Sequence, residues 1–134
     1  MVFWDTSAFL AIENRRDTHH REAVEFRDSC FKEGKALITT DYILDESYTL
    51  IRFRAGHHIA VQFGEALRGS RLLRIEHISP EIIEKAWQLF KNYSDHEFSF
   101  TDCTSFIIME RLRIQTAFSF DHHFKEYGRF ITKP

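Results

Sequence analysis

Ser99-Phe100-Thr101-Asp102-Cys103-Thr104-Ser105 places an acidic side chain at the start of a predicted helix. Because successive helical residues are about 100° apart, Asp102 shares one stripe with Phe106 and Met109. A carboxylate on a mostly apolar stripe lowers stability unless a cation or a hydrogen-bond donor contacts it. The positive end of the helix dipole, however, favours an anion at this position. Taken alone, the stretch favours a first-turn helix acid over a functional one.

The composition indicates one soluble globular domain. The chain has 134 residues, of which 43% are hydrophobic and 28% are charged, and this length is sufficient to bury a core. Its 14 phenylalanines predict an aromatic-rich core. The net charge of −2 argues against a strongly basic nucleic-acid-binding surface, although not against a local basic strip around a site.

The cysteines and the lack of targeting signals predict a cytoplasmic protein. Cys30 and Cys103 lie in helical patterns without a CxxC spacing, which is typical of buried thiols in a reducing compartment. No stretch approaches the ~18 apolar residues that span a bilayer. The first residues lack the basic and apolar regions of a signal peptide. We therefore expect no association with membranes.

Strands alternate with helices along the chain. Short apolar runs predict strands at residues 1–4, 36–39, 72–78, 116–120 and 130–132. Amphipathic periodicity and capping residues predict helices at residues 6–12, 18–32, 41–55, 57–67 and 80–93, from residue 100 onward, and in a short turn around residue 124. This alternation predicts a single α/β domain over residues 1–134, with a mostly parallel central sheet and helices on both faces.

Two more acidic residues follow predicted strands. Asp5 and Asp121 each come directly after an apolar run. Because sheets of this kind bind ligands at the carboxyl ends of their strands, both are expected at one edge, near Asp102. Each could instead cap the following helix. That explanation is weaker for Asp5, because Thr6 and Ser7 already supply capping side chains.

The third predicted helix contributes one acid of an adjacent pair. Helical phase places Glu46 within the edge of an apolar arc, between Leu50 and Phe53, whereas Asp45 lies on the opposite side. An inward, unpaired carboxylate is costly. We therefore predict that Glu46 joins the site and that Asp45 faces solvent.

A cluster of inward acids favours a divalent metal ion. Carboxylates at one sheet edge repel each other and raise each other's pKa values. Oxygen ligands suit hard ions such as Mg²⁺ and Mn²⁺, and such ions polarise a phosphoryl oxygen and activate a bound water. The residues thus predict metal-assisted hydrolysis of phosphodiester bonds.

Four segments of the chain resemble the four motifs of PIN-domain ribonucleases, in the family's order and spacing. The segments are VFWDTSA (residues 2–8), DESYTL (45–50), SFTDCTS (99–105) and FSFDHHF (118–124). Within that family, the likeness is closest to the VapC-type toxins of toxin–antitoxin pairs, and it covers nearly the whole chain. The resemblance implies a PIN-like three-layer sandwich.

The resemblance also implies a function and a set of site residues. It implies a Mg²⁺- or Mn²⁺-dependent endoribonuclease of single-stranded RNA, a homodimer, and a small antitoxin protein that often inserts a basic side chain among the acids. Thr6 and Thr101 match positions at which the family often has a supporting hydroxyl. The acids that bind metal and catalyse hydrolysis would be Asp5, Glu46, Asp102 and Asp121.

Several basic side chains are candidates for contacts with RNA. Arginines that flank the site elements could neutralise phosphates, and the two histidines after Asp121 adjoin a site of perturbed charge. For each arginine taken singly, a solvated surface charge is the simpler explanation. The pairs His19-His20 and His57-His58 are explained as surface histidines, because adjacent helical side chains diverge by about 100°. The candidates for substrate binding are Arg15, Arg52, Arg54, His122 and His123, with Arg16 and Lys125 as neighbours.

Two other functions fit parts of the pattern. Phosphohydrolases of small substrates with an aspartyl nucleophile usually have a second Asp two residues after the first, but Ser7 occupies that position here. A catalytically silent PIN-fold module that binds RNA or protein would not need to keep four acids.

Overall fold

In the computed structural model, which describes residues 1–134, five short strands form one parallel sheet. The strands are β1 (Val2–Trp4), β2 (Leu37–Thr40), β3 (Leu73–Glu76), β4 (Thr116–Phe118) and β5 (Ile131–Lys133). Their order across the sheet is β3-β2-β1-β4-β5, and every neighbouring pair is parallel. The predicted parallel α/β sheet is therefore confirmed.

Seven helices connect the strands. They are α1 (Thr6–Glu13), α2 (His20–Lys32), α3 (Asp41–Ala55), α4 (His57–Gly69), α5 (Pro80–Asn92), α6 (Phe100–Arg111) and α7 (His123–Tyr127). Capping side chains define several of their starts: Thr40 accepts the Ile43 N–H, and Ser79 accepts the Ile82 N–H. Gly56 ends α3 with a φ of 101°, a conformation that residues with a Cβ rarely adopt.

The connections place helices on both faces of the sheet. The chain moves outward from β1 through β2 to β3, and then returns across the sheet to β4 and β5. Because crossovers between parallel strands are right-handed, this reversal puts α1 to α4 on one face and α5 to α7 on the other. The strand order reverses between β1 and β4, and sheets of this type bind ligands at such a switch point.

The core is rich in aromatic side chains, as the composition predicts. All three residues of β1 are buried. Phe106 and Phe124 are fully buried and pack edge to face, with their ring centroids 5.1 Å apart. Cys30 and Cys103 are free thiols with no exposed surface. None of the helices combines the length and the apolarity that crossing a bilayer requires.

Some details differ from the predictions made from sequence. β3 is shorter than the predicted span of residues 72–78, and β4 ends at Phe118 rather than at Phe120. The Ser119 N–H still donates to the Lys133 carbonyl, while the Ser119 side chain hydrogen-bonds to Asp5. Phe53, which helical phase assigned to the apolar arc of α3, is 77% exposed. Helical phase predicts only the direction in which a side chain points. Near the end of α3, no other element packs over the Phe53 side chain.

Candidate functional site

Asp5 lies directly after β1 and is held by two serines. It is the N-cap of α1, and only 4% of its surface is exposed. Its Oδ2 accepts hydrogen bonds from Ser7 Oγ at 2.8 Å and from Ser119 Oγ at 2.9 Å. Because Ser119 follows β4, its hydrogen bond to Asp5 connects the ends of β1 and β4, the two strands that flank the switch point. Asp5 is thus both a helix cap and a buried, oriented carboxylate.

Asp102 occupies the first turn of α6 through a capping box. Its N–H donates to Ser99 Oγ, and its Oδ2 accepts the Ser99 N–H, both at 3.0 Å. The side chain is 6% exposed. The helix-acid explanation of Asp102 is therefore correct, but it does not compete with a functional one, because the same carboxylate also faces the other acids.

Glu46 and Asp121 complete the group of acids. Glu46 is half-buried on α3, whereas its neighbour Asp45 is exposed, as helical phase predicts. Asp121 follows β4, and its own N–H donates to Ser119 Oγ at 3.0 Å. Its Oδ1 accepts the His123 N–H at 3.0 Å. Ser119 therefore orients acids from two different loops.

All four predicted acids line one cleft, which we call the acid cleft. Its volume is about 240 Å³. Ser99, Arg54 and His123 also contribute to its wall. The structure therefore brings together the acids that lie far apart in the sequence: Asp5, Glu46, Asp102 and Asp121.

Burial and nearby negative charges raise the pKa values of three of these acids. Burial raises the pKa of Asp5 to about 7, and the charges of Asp102 and Asp121 add to this effect, while hydrogen bonds from Ser7 and Ser119 oppose it. The pKa values of Glu46 and Asp102 are also raised, chiefly by burial. A divalent cation among the acids would relieve both costs.

The histidines after Asp121 have different environments. The Nδ1 of His123 lies 2.8 Å from Asp102 Oδ2 and 3.1 Å from Asp121 Oδ1, and its side chain is 15% exposed. This buried atom nevertheless makes no well-aligned hydrogen bond. His122 is 72% exposed. His123 therefore belongs to the site, whereas His122 lies on the surface.

The donor set fits a hard divalent ion. Several carboxylate oxygens face one cleft, and burial raises the pKa values of three of these acids, so a cation in the cleft would stabilise their charged forms. Ligand atoms of Asp121, His122 and His123 also lie within 4.8 Å of one another. Carboxylates suit Mg²⁺ and Mn²⁺, whereas imidazole suits later transition metals, so the four acids form the better site for a hard ion.

The two predicted supporting threonines differ in position. Thr6 lines the acid cleft, and its hydroxyl partly offsets the rise in the pKa of Glu46. The Thr6 hydroxyl donates to the Ile43 carbonyl at 3.5 Å and accepts from Ser47 Oγ at 3.4 Å. Thr101 does not line the cleft. Its carbonyl instead accepts the Ser105 hydroxyl at 3.0 Å within α6. The residue that orients the Asp102 carboxylate is Ser99, whose backbone N–H donates to it. The sequence indicated Ser99 only as a helix cap.

Sequence reasoning missed Ser119. It contacts Asp5 across 114 positions of the chain, and no local period indicates such a contact. The only sequence feature that could have indicated a role is its position between Phe118 and Phe120, as a polar residue at the end of a predicted strand.

The predicted RNA-binding arginines do not form one group. Arg54 lines the acid cleft, since it lies eight residues after Glu46 on the same face of α3. Arg15 and Arg16 line an adjoining cleft together with Arg54, and none of these three arginines forms an ion pair within 4.0 Å. Arg52 lies elsewhere, beside Tyr48 in a cleft with α4.

Comparison with known proteins agrees with this geometry. The family model described as PIN domain matches residues 2–130. A relative from Mycobacterium tuberculosis (strain CDC 1551 / Oshkosh), named 23S rRNA-specific endonuclease VapC20, is 34% identical over 134 residues, which cover 100% of this chain and 99% of the relative. The VapC ribonuclease of Archaeoglobus fulgidus is 32% identical over 123 residues, which cover 90% of this chain and 76% of that protein.

The three-dimensional likeness extends over the whole chain. The crystal structure of Mycobacterium tuberculosis VapC20, described as a sarcin-ricin loop cleaving toxin, matches with a TM-score of 0.91 and 33% identity. The match covers 100% of both chains. Together with the family match and the four acids of one cleft, these findings show that the chain belongs to the PIN domain family as a VapC-like ribonuclease.

Proposed function

We propose that residues 1–134 form one nuclease domain, a Mg²⁺- or Mn²⁺-dependent endoribonuclease that cleaves single-stranded RNA as the toxin of a toxin–antitoxin pair. The observation that carries the proposal is the convergence of four acids on one cleft at the switch point of the sheet. The raised pKa values of three of them mark a site that needs a cation.

Each acid has a role in this proposal. Asp5, Glu46 and Asp102 would hold the principal ion, directly or through water, and Asp121 would hold a second ion or orient the attacking water. The bound ion supplies a polarised phosphoryl oxygen and a water of lowered pKa. The serines that hold Asp5 and Asp102 fix the carboxylates before substrate arrives, which reduces the reorganisation needed during reaction.

The basic side chains near the acid cleft would hold the RNA backbone. Arg54 lies on the wall of the cleft, and Arg15 extends the positive charge into the adjoining one. Arg52 lies outside this proposal because it lines a different surface. The Mycobacterium relative is named for 23S rRNA, which supports ribosomal RNA as the first substrate to assay.

The surface supports two kinds of protein partner, an antitoxin and a second copy of this chain. A cleft lined by four acids and one arginine is complementary to a basic side chain inserted by an antitoxin. Trp87 and Phe90 stack on α5 with centroids 5.9 Å apart and are 46% and 42% exposed. Exposed aromatic groups of this kind support a homodimer, which light scattering of wild type and Trp87→Glu would test.

The central experiment is RNA cleavage by the purified chain with Mg²⁺, with Mn²⁺ and with chelator. Attack by metal-activated water predicts 5′-phosphate and 3′-hydroxyl ends, and it predicts that RNA with a 2′-deoxy residue at the scissile position is still cut. Cyclic-phosphate ends in chelator would instead assign the chemistry to histidine acid–base catalysis. Metal binding without any cleavage would identify a silent RNA- or protein-binding module.

A further inference from the structure

A second cleft adjoins the acid cleft, and we call it the ring cleft. It has a volume of about 370 Å³, and its wall includes His19, Phe120 and His122. Arg54 and Asp121 line both clefts. On the basis of the proposed nuclease function, we propose that the ring cleft binds the base of a nucleotide next to the scissile phosphate. The base would stack on the open face of His19, whose other face packs on Phe120.

The proposed platform is a pair of parallel rings. The centroids of His19 and Phe120 lie 4.4 Å apart, with 12° between the ring planes. The His19 side chain is 47% exposed, and Phe120 is half-buried. Unpaired RNA bases stack on aromatic and histidine rings in this way, and such contacts tolerate different bases because every base has a flat face.

Both rings are positioned before any ligand arrives. The His19 N–H donates to Asp17 Oδ1 at 2.8 Å, at the entry to α2. The Phe120 N–H donates to Ser7 Oγ at 2.9 Å, and Ser7 Oγ donates to Asp5 Oδ2 at 2.8 Å. Two hydrogen bonds therefore connect the platform to a proposed metal-binding acid. A preorganised contact of this kind loses little entropy on binding.

The charges around the ring cleft favour a nucleotide over an apolar peptide. Only Leu10 and Phe120 are hydrophobic among the residues of its wall. Arg54 lines both the ring cleft and the acid cleft, where it can contact a backbone phosphate. The rings, this cation and the acids of the adjoining cleft suit the base, the phosphate and the scissile bond of one RNA strand.

The test compares RNA with bases and RNA without them. The probes are a fluorescein-labelled random-sequence 12-mer RNA and an abasic 12-mer of the same length, with binding measured by anisotropy in EDTA. For the wild type, we expect roughly five- to hundredfold tighter binding of the base-containing probe. His19→Ala should remove most of this preference, and His19→Phe should restore it. Phe120→Leu, which keeps an apolar side chain, should also reduce the preference.

Two exposed residues provide matched controls. His58→Ala removes another exposed histidine, and Phe53→Ala removes an exposed ring on α3 that lines neither cleft; both should keep the ratio of the two affinities. The proposal is wrong if the wild type binds the two probes equally. It is also wrong if His19→Ala keeps the ratio, or if Phe53→Ala removes it instead.

Cleavage assays separate this proposal from the proposed function. For an RNA that the wild type cuts, His19→Ala should raise KM by a factor similar to the lost binding preference and leave kcat within about twofold, since stacking contributes uniform binding. Unchanged KM with intact cleavage would overturn the base site alone. A protein that distinguishes the two probes but cuts no RNA would keep the base site and reject the nuclease function.

Discussion

The acid cleft and an apolar groove lie on either side of the end of β1, and they differ in what they require of a ligand. The groove is lined mainly by hydrophobic side chains, including Trp4 and Phe31, and has a volume of about 210 Å³, close to that of the acid cleft. Trp4 and Asp5 are adjacent in the chain, yet Trp4 lines the groove and Asp5 lines the acid cleft. Side chains of successive residues leave a strand in opposite directions, so one step of the chain separates the two environments.

Each cavity is lined by a residue that has a buried polar atom without a well-aligned hydrogen bond. The residues are Trp4 in the groove, through its Nε1, and His123 in the acid cleft, through its Nδ1. A neutral donor in an apolar groove costs a modest free energy, whereas several buried carboxylates cost much more unless they are neutralised. Charge, and not cavity size, therefore distinguishes the acid cleft from the groove.

The largest effect is expected from charge removal at Glu46. Glu46→Gln should lower kcat for RNA cleavage by roughly 100-fold or more, because a metal's stabilisation of transition-state charge is worth several kcal/mol. Asp45→Asn is the matched control, since Asp45 is exposed, and it should stay active. Loss of activity in Asp45→Asn alone would show that the wrong acid of the pair had been assigned to the site.

Metal binding should stabilise the fold through Asp102. Mn²⁺ at 100 times its dissociation constant would add about 2.7 kcal/mol to the free energy of unfolding, measured as a rise in Tm. Asp102→Asn should lose most of this rise. The amide oxygen of Asn can still accept the Ser99 N–H, so the capping box survives and the fold remains a fair control. Equal rises in both proteins would argue against a metal site that includes Asp102.

The metal-free protein should become less stable as pH rises through the range set by Asp5. Its pKa is about 7 in the folded protein, against an ordinary value of 3.8. The folded state therefore binds more protons than the unfolded state between these values, and stability falls with rising pH there, with a slope of up to about 1.4 kcal/mol per pH unit.

Asp5→Asn isolates this contribution. In EDTA, the difference in unfolding free energy between Asp5→Asn and wild type should grow in favour of the variant from about pH 4 to pH 7. Denaturant unfolding at several pH values measures it. A difference that stays constant with pH would contradict the raised pKa of Asp5.

The smallest effect is expected in the apolar groove. Trp4→Phe removes the unpartnered Nε1–H but leaves a small cavity, and these effects oppose each other. We expect the free energy of unfolding to change by about 1 kcal/mol or less, with RNA cleavage unchanged. A loss of cleavage like that of Glu46→Gln would show that the two cavities are coupled rather than independent.

Much of the fold and of the candidate site could be predicted from local patterns. Helical phase separates Glu46 from Asp45, and strand ends place Asp5 and Asp121 at one edge, because both inferences use periods of only a few residues. The same method assigned Phe53 to the apolar arc, although it is 77% exposed. A helix period gives the direction of a side chain, but not whether another element covers it.

Local sequence patterns are sufficient to predict the order of strands and helices, the parallel sheet, the four acids and the family resemblance. Which other side chains reach those acids depends on the packing of the folded chain. Ser119 approaches Asp5 across 114 positions, His123 but not His122 enters the cleft wall among the acids, and Arg54 but not Arg52 faces it. These contacts depend on how the ends of separate elements pack against one another, and local periodicity contains no information about that packing.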